Sequence, residues 1–173
     1  MCDKAMIFQV FTLENPACLN DSLYSRFMDL FGEGRVRQSH HFAGRFENIY
    51  IDRDDIPEIN ALLSIILARA AELLAVEQAA LKAGFWFNAM DPGHRTTLHH
   101  HDENDELLSA VYYIRVPADS GALLLHDDDD PVVVQPCAGK LVMFAPHVPH
   151  EVTVNNSEEM RLSVAFNVGP VGD

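Results

Sequence analysis

A chain of 173 residues, 48% of them hydrophobic, is long enough for one domain with a sizeable core and cramped for two. Its 12 basic and 26 acidic side chains give a net charge of −14, a field that makes nucleic acid and anionic membranes poor default partners, while leaving room for a local pocket that holds one small anion. The apolar content and ordinary proline count exclude a disordered or fibrous chain.

The opening MCDKAMIFQVF lacks the pattern of a secretory signal, and no run approaches the length of a membrane span, so a cytoplasmic location is the expectation. CLNDSLYSRFMDLFGEG places Leu19, Leu23, Phe27, Leu30 and Phe31 at helical spacing and closes on Gly32, which predicts a first helix. HHFAGRFENIYI then reads as irregular chain or strand. DDIPEINALLSIILARAAELLAVEQAALKAG predicts a second helix, with acidic residues and Pro57 at its start, Leu62, Leu63, Ile66, Leu73 and Leu81 among its apolar positions, and Gly84 as its stop.

From Phe85 the texture changes to short apolar segments bounded by turn formers: FWFNAM, TTLHHH, LLSAVYYIRV, GALLLH, PVVVQP, GKLVMFA, HEVTVNN and RLSVAFNV. Such spacing predicts about eight strands in a sandwich or barrel. The expected fold class is α+β: a single domain over 1–173, with a helical or mixed part at 1–84 whose two helices cover an outer face, and a β unit at 85–169 that carries the chemistry. The acidic run HDDDDP, His126 to Pro131, reads as a solvated turn, because it lacks the spaced ligands and central glycine of a calcium loop.

TTLHHHDENDE raises the question of a metal site. On a strand, His99 and His101 share one face while His100 and Asp102 share the other, so either pair could chelate. The best partner elsewhere is His150 in FAPHVPHEVTVNN, at the start of an alternating strand; His147 reads as a surface histidine of the same turn. Two imidazoles from one strand and one from a distant strand make a three-ligand face with open positions, an arrangement suited to catalysis rather than to a closed structural site. Arg161 opens the apolar strand RLSVAFN, and a guanidinium turned inward there needs an anion. Ser163 shares its face, so the two could bind a ligand carboxylate.

Cys2, Cys18 and Cys137 are odd in number and scattered, which suits free thiols; Cys137 reads as a turn residue. No Gly-rich phosphate loop, Gly-x-Ser-x-Gly elbow or Cys-x-x-Cys pair is present. Phe85, Trp86 and Phe87 read as barrel core rather than a base-stacking platform.

Three motifs in order resemble the 2-oxoglutarate and Fe(II)-dependent oxygenase superfamily, in particular its small bacterial and phage members. WFNAMDPGHRTTLHHH is similar to the family's Trp-x-Asn, Pro-Gly and His-x-His or His-x-Asp segments; LLSAVYYIRVPADSGALLL is similar to its Leu-Ser-Gly-Val-Tyr-Tyr strand and Ser-Gly turn; FAPHVPHEVTVNNSEEMRLSVAFN is similar to the distal histidine, the Asn-x-Ser turn and the Arg-x-Ser strand. The resemblance spans roughly Trp86 to Val168.

It implies a double-stranded β-helix of jelly-roll or cupin-like form, Fe(II) held by His99, His101 and His150, and 2-oxoglutarate as cosubstrate with its far carboxylate on Arg161, Ser163 and Tyr113. The implied reaction hydroxylates a small-molecule or protein-side-chain substrate and releases succinate and carbon dioxide, with no catalytic residue beyond the metal ligands. The chain departs from the pattern in carrying a histidine where the usual carboxylate ligand stands, a departure that the pair His100 and Asp102 would remove. The spacing from Trp86, Asn88 and Gly93 favours His99 and His101. Two additional residues also lie between the motif and LLSAVYY.

A second resemblance shares the fold. Gly93, five residues, His99, one residue, His101, four residues and Glu106 are similar to the first cupin motif, with Pro146 and His150 similar to the second, although the usual glycines are missing. That reading makes Glu106 a fourth ligand of a dioxygenase, isomerase or sensor that needs no 2-oxoglutarate. A non-catalytic β-helix that binds a ligand or a partner is the third alternative. An edge strand could pair two copies into a homodimer.

Overall fold

The structure is a computed structural model that describes residues 8–101, 105–126 and 130–172. Eleven strands and two helices run in the order β1 (Phe8–Thr12), α1 (Ala17–Gly32), β2 (Arg37–Phe42), β3 (Arg45–Tyr50), α2 (Ile59–Leu74), β4 (Leu81–Met90), β5 (Thr96–His99), β6 (Leu108–Arg115), β7 (Leu123–Leu125), β8 (Val132–Val134), β9 (Lys140–Phe144), β10 (His150–Val152) and β11 (Arg161–Pro170). A seven-stranded sheet, β1-β9-β6-β11-β4-β3-β2, faces a four-stranded sheet, β5-β10-β7-β8, and every pairing is antiparallel.

The large sheet has two faces because strand side chains alternate. Leu162, Val164, Phe166 and Val168 of β11, with Leu108, Ala110, Tyr112 and Ile114 of β6, point to a core shared with Leu23, Phe27 and Leu30 of α1 and Leu62, Leu63 and Ile66 of α2. Each such side chain, once buried, contributes roughly 1.5–3 kcal/mol. Buried Asn20 fixes α1 on this face: its amide donates to the Ile114 carbonyl at 3.0 Å and its oxygen accepts from the Tyr112 hydroxyl at 2.7 Å. The opposite parity, Arg161, Ser163, Ala165 and Asn167 with Ser109, Val111 and Tyr113, lines a cavity between the sheets. A smaller core of Leu123, Leu125, Val134, Val142, Phe144 and Val148 closes one side of it.

The two expected helices form and cover an outer face, and the eight expected strands of the C-terminal half are β4 to β11. The second helix is shorter than its apolar pattern predicts. It stops at Leu74, where Ala75 takes a left-handed φ of 54°, and after a 3-10 turn at Gln78–Ala80 the chain is already extended at Leu81. Leu81 and Gly84 are therefore strand residues of β4, and β4 begins four residues ahead of the expected start of the β unit at 85. HHFAGRFENIYI is largely the hairpin β2–β3, turned by Ala43 and Gly44, and it extends the large sheet through the pairing of Ile49 with Phe87. Phe8–Thr12, unassigned from sequence, pairs with β9.

Candidate metal centre

β5 and β10 are neighbours in the small sheet, and their register sets His99 directly opposite His150. Beyond the end of β5, His101 is anchored by its amide, which donates to the Pro146 carbonyl at 2.8 Å. The parity argument thus holds for the turn that follows β5: ring centroids of His99 and His101 lie 4.8 Å apart, those of His99 and His150 4.3 Å, and those of His101 and His150 5.2 Å. One donor atom from each of the three lies within 4.8 Å of the others.

Hydrogen bonds decide which nitrogens face inward. His99 Nδ1–H donates to the Thr97 carbonyl at 2.7 Å, and His150 Nδ1–H to the Val148 carbonyl at 2.9 Å. A carbonyl accepts only from a protonated nitrogen, so Nδ1 carries a proton in both rings and Nε2 is the atom left to ligate. Burial, reinforced by the neighbouring His99, holds His101 down to about 4 and His150 down to about 3, against an ordinary 6.5. These imidazoles are neutral at physiological pH, the form that ligates. Phe144 packs edge-on against His150 at 4.8 Å and Trp86 tilts over His101 at 5.6 Å, which restricts both rings. Trp86 is thus a half-buried wall of the cavity, not the core residue its pattern predicts, because its parity on β4 points away from the helices.

His100 and Glu106 line the same cavity, but neither belongs to the three-donor cluster; Asp102 lies outside the described residues, as do Cys2 and Asp127 to Asp129 of the acidic run. His147 is exposed, as are the free thiols of Cys18 and Cys137.

Arg161 enters the same cavity from β11 and is 1% exposed. Its Nη1 donates to the carbonyls of Ser120 and Gly121 at 3.2 and 3.1 Å, its Nη2 approaches the Met90 sulfur at 2.8 Å, and its Nε has no hydrogen-bond partner. No carboxylate among the described residues pairs with it. Burial lowers its proton affinity, as a buried cation without an anion requires. Ser163 and Tyr113 are buried beside it, the Tyr113 ring 5.7 Å from the guanidinium carbon. The turn that supplies the two carbonyls depends on Gly121: its φ is 89°, and a side chain there would collide with the Thr153 carbonyl.

This donor set fits an iron ion and a dicarboxylate together. Three imidazole nitrogens within 4.8 Å of one another suit a first-row divalent metal, and a buried guanidinium without an anion among the described residues, with a hydroxyl on the same wall of a cavity of about 540 Å³, suits a carboxylate.

Two residues outside the predicted site complete the frame. Asn155, fully buried, donates to the carbonyls of Met90 and Glu159 at 2.8 and 2.9 Å and accepts from Ser157, tying the end of β4 to the approach to β11. Arg45 of β3 donates to Asn88, Ala89, Arg95 and Thr96 at 3.1–3.3 Å and so binds the hairpin to the start of β5. The Asn-x-Ser spacing hinted at the first; only the three-dimensional pairing of β3 and β4 reveals the second.

Residues 85–169 match the family model described as the 2OG-Fe(II) oxygenase superfamily. No curated protein sequence matches the chain. Among solved structures, a prolyl-4-hydroxylase from Pseudomonas putida is similar over 97% of this chain and 95% of its own, with a TM-score of 0.78 and 23% identity. A Trichoplax adhaerens prolyl hydroxylase, in complex with a peptide fragment of the hypoxia inducible factor oxygen degradation domain, is similar over 94% and 83%, at 0.72 and 15%. The alpha-ketoglutarate-dependent carbocyclase SnoK of nogalamycin biosynthesis is similar over 95% and 80%, at 0.76 and 14%. These likenesses carry the fold, a double-stranded β-helix.

Proposed function

We propose, since the chain belongs to the 2OG-Fe(II) oxygenase superfamily, that His99, His101 and His150 hold its iron and that Arg161, with Ser163 and Tyr113, holds the far carboxylate of 2-oxoglutarate. The protein is an oxidoreductase that uses Fe(II) and 2-oxoglutarate. When bound, these supply oxidation by dioxygen, in which the cosubstrate leaves as succinate and carbon dioxide and a substrate C–H bond is hydroxylated. The observation that carries the residue assignment is the buried guanidinium of Arg161, with no anion among the described residues, in one cavity with three clustered imidazoles.

The chain's own contributions follow from its geometry. The carbonyls of Thr97 and Val148 fix the tautomers of His99 and His150, so the ligating lone pairs are set before any metal arrives. The carbonyls of Ser120 and Gly121 aim the guanidinium fork, and Tyr113 backs it with an aromatic face. Leu123, Phe144 and Val152 exclude water beside them. A histidine in place of a carboxylate ligand makes the donor set neutral, so the metal keeps its full charge toward what binds beside it.

The prime substrate is a small molecule or a protein side chain that reaches the cavity past the β2–β3 hairpin. Exposed thiols at Cys18 and Cys137 suit a cytoplasmic setting, and an edge strand such as β8 offers pairing to a second copy. No helix of the described residues is long and apolar enough to cross a membrane.

The test is spectroscopic. Adding Fe(II) and then 2-oxoglutarate to the anaerobic metal-free protein is expected to produce a visible charge-transfer band, which Arg161→Ala weakens at equal cosubstrate while iron uptake persists. Metal uptake with no band would return the site to the cupin-like alternative.

A further inference from the structure

The β2–β3 hairpin forms a wall of the cavity that neither the metal nor the cosubstrate assignment uses. His40, Glu47, Asn48 and Tyr50 line it, beside Trp86. Glu47 is 9% exposed, yet it accepts no hydrogen bond among the described residues, and its buried Oε1 meets only an ion pair with Arg45 Nη2 at 3.6 Å. Arg45 spends its own hydrogen bonds on the neutral oxygens of Asn88, Ala89, Arg95 and Thr96, so this pair leaves the carboxylate without a hydrogen-bond donor among the described residues. A buried carboxylate without a hydrogen bond is costly unless a ligand supplies the donor.

The surroundings say what kind of donor. Glu106 adds a second carboxylate to the cavity lining, and among the described residues of that lining Arg161 is the only arginine or lysine. Tyr50 already holds the Arg37 guanidinium 5.6 Å from its ring centroid, and Trp86, packed on His101, adds a second aromatic side chain to the lining, a surround of the kind that attracts cations. The net charge of −14 draws cations toward the mouth.

The wall is also built rather than incidental. His40 sits in the middle of β2 with a left-handed φ of 57°, a conformation that persists only where neighbours enforce it. Asn48 Nδ2 donates both to His40 Nδ1 at 3.1 Å and to the Tyr50 hydroxyl at 3.1 Å, and the Ser39 hydroxyl lies 2.7 Å from the same imidazole nitrogen.

We propose that this wall, with Glu47 at its centre, is the substrate subsite and takes a cationic nitrogen, an ammonium or a guanidinium. The inference rests on the oxygenase reading of the cavity and names the class of substrate it admits.

Calorimetry on the full chain, loaded anaerobically with Fe(II) and 2-oxoglutarate, tests it with matched probes: N-acetylarginine amide against N-acetylcitrulline amide, and N-acetyllysine amide against N-acetylnorleucine amide. Free arginine and spermidine, as further arms, separate a peptide side chain from a free amine as the source. The cationic member of at least one pair is expected to bind about tenfold or more tightly, as a charge-assisted hydrogen bond gives, and Glu47→Gln to abolish that preference. Equal binding within both pairs, no binding of any probe, or a preference that survives in Glu47→Gln would overturn the proposal. The wild-type comparison decides the matter even where the variant folds poorly, and Glu47→Asp, which keeps the charge, should retain part of the preference. The charge-transfer band recorded on the same sample reports on the oxygenase reading separately; the calorimetric preference decides the subsite whether or not the band forms.

Discussion

Arg161 shows how a single residue can weaken the fold in order to serve the site. A buried guanidinium held by two carbonyls, a thioether and the Tyr113 ring, with no anion among the described residues, costs the folded state roughly 1–4 kcal/mol relative to an apolar side chain of similar shape. Arg161→Met is therefore expected to leave the ligand-free protein at least as stable as the wild type. It should also cancel the rise in melting temperature that 2-oxoglutarate gives the iron-loaded protein. Thermal unfolding with and without 2-oxoglutarate checks both halves, and a large loss of ligand-free stability would mean that the arginine is structural. His99, His101, His150 and Arg161 were legible in the sequence because strand parity and turn residues constrain where such side chains point. Arg45 and Glu47 were not: what buries them is the pairing of Ile49 with Phe87, a contact between segments 38 residues apart that no local pattern encodes.

At the scale of elements, the site is held by connections more than by strands. β5 and β10 are short, and the turns around them are fixed by Asn155, whose backbone exchanges hydrogen bonds with Gly93 and His94 while its side chain reaches Met90 and Glu159. Asn155→Ala removes the side-chain donor to the buried Met90 carbonyl and one of the two donors to the Glu159 carbonyl, which keeps the Ser157 hydroxyl, and is expected to destabilise the chain by about 1–3 kcal/mol. It should also weaken Fe(II) binding, although Asn155 lies outside the donor cluster. Denaturant unfolding and metal titration measure the two effects. The element boundaries that sequence reading missed have a common cause. Leu81 continues the apolar spacing of α2, but a left-handed Ala75 ends the helix without the expected glycine, so hydrophobic period alone overruns the stop. β1 is a short edge strand whose pairing partner, β9, lies far along the chain, and its sequence carries little alternation.

For the whole molecule, acid is the revealing variable. His101 and His150 bind protons only near pH 4 and pH 3 in the folded state, whereas in the unfolded chain they do so near 6.5. Below pH 6.5 the unfolded state therefore holds more protons at these two groups, so their contribution to stability falls as the pH drops toward 4 and then 3 and is level above 6.5. Urea midpoints of the metal-free protein between about pH 7 and pH 5 should decline, and His150→Phe should flatten the slope. The pairing of His99 with His150 across β5 and β10 has a further consequence, for how the chain can vary. A slip of one residue in either strand would turn an imidazole to the opposite face, so neither strand can drift in register without emptying the site. The irregularity between His150 and Val152 absorbs length changes that arise downstream, and His101 marks the end of the constrained stretch upstream. Length changes between His101 and Leu107 fall outside that pairing and leave the register that sets His99 opposite His150 untouched. Descendants of this scaffold can change in length there and still inherit the same three imidazoles.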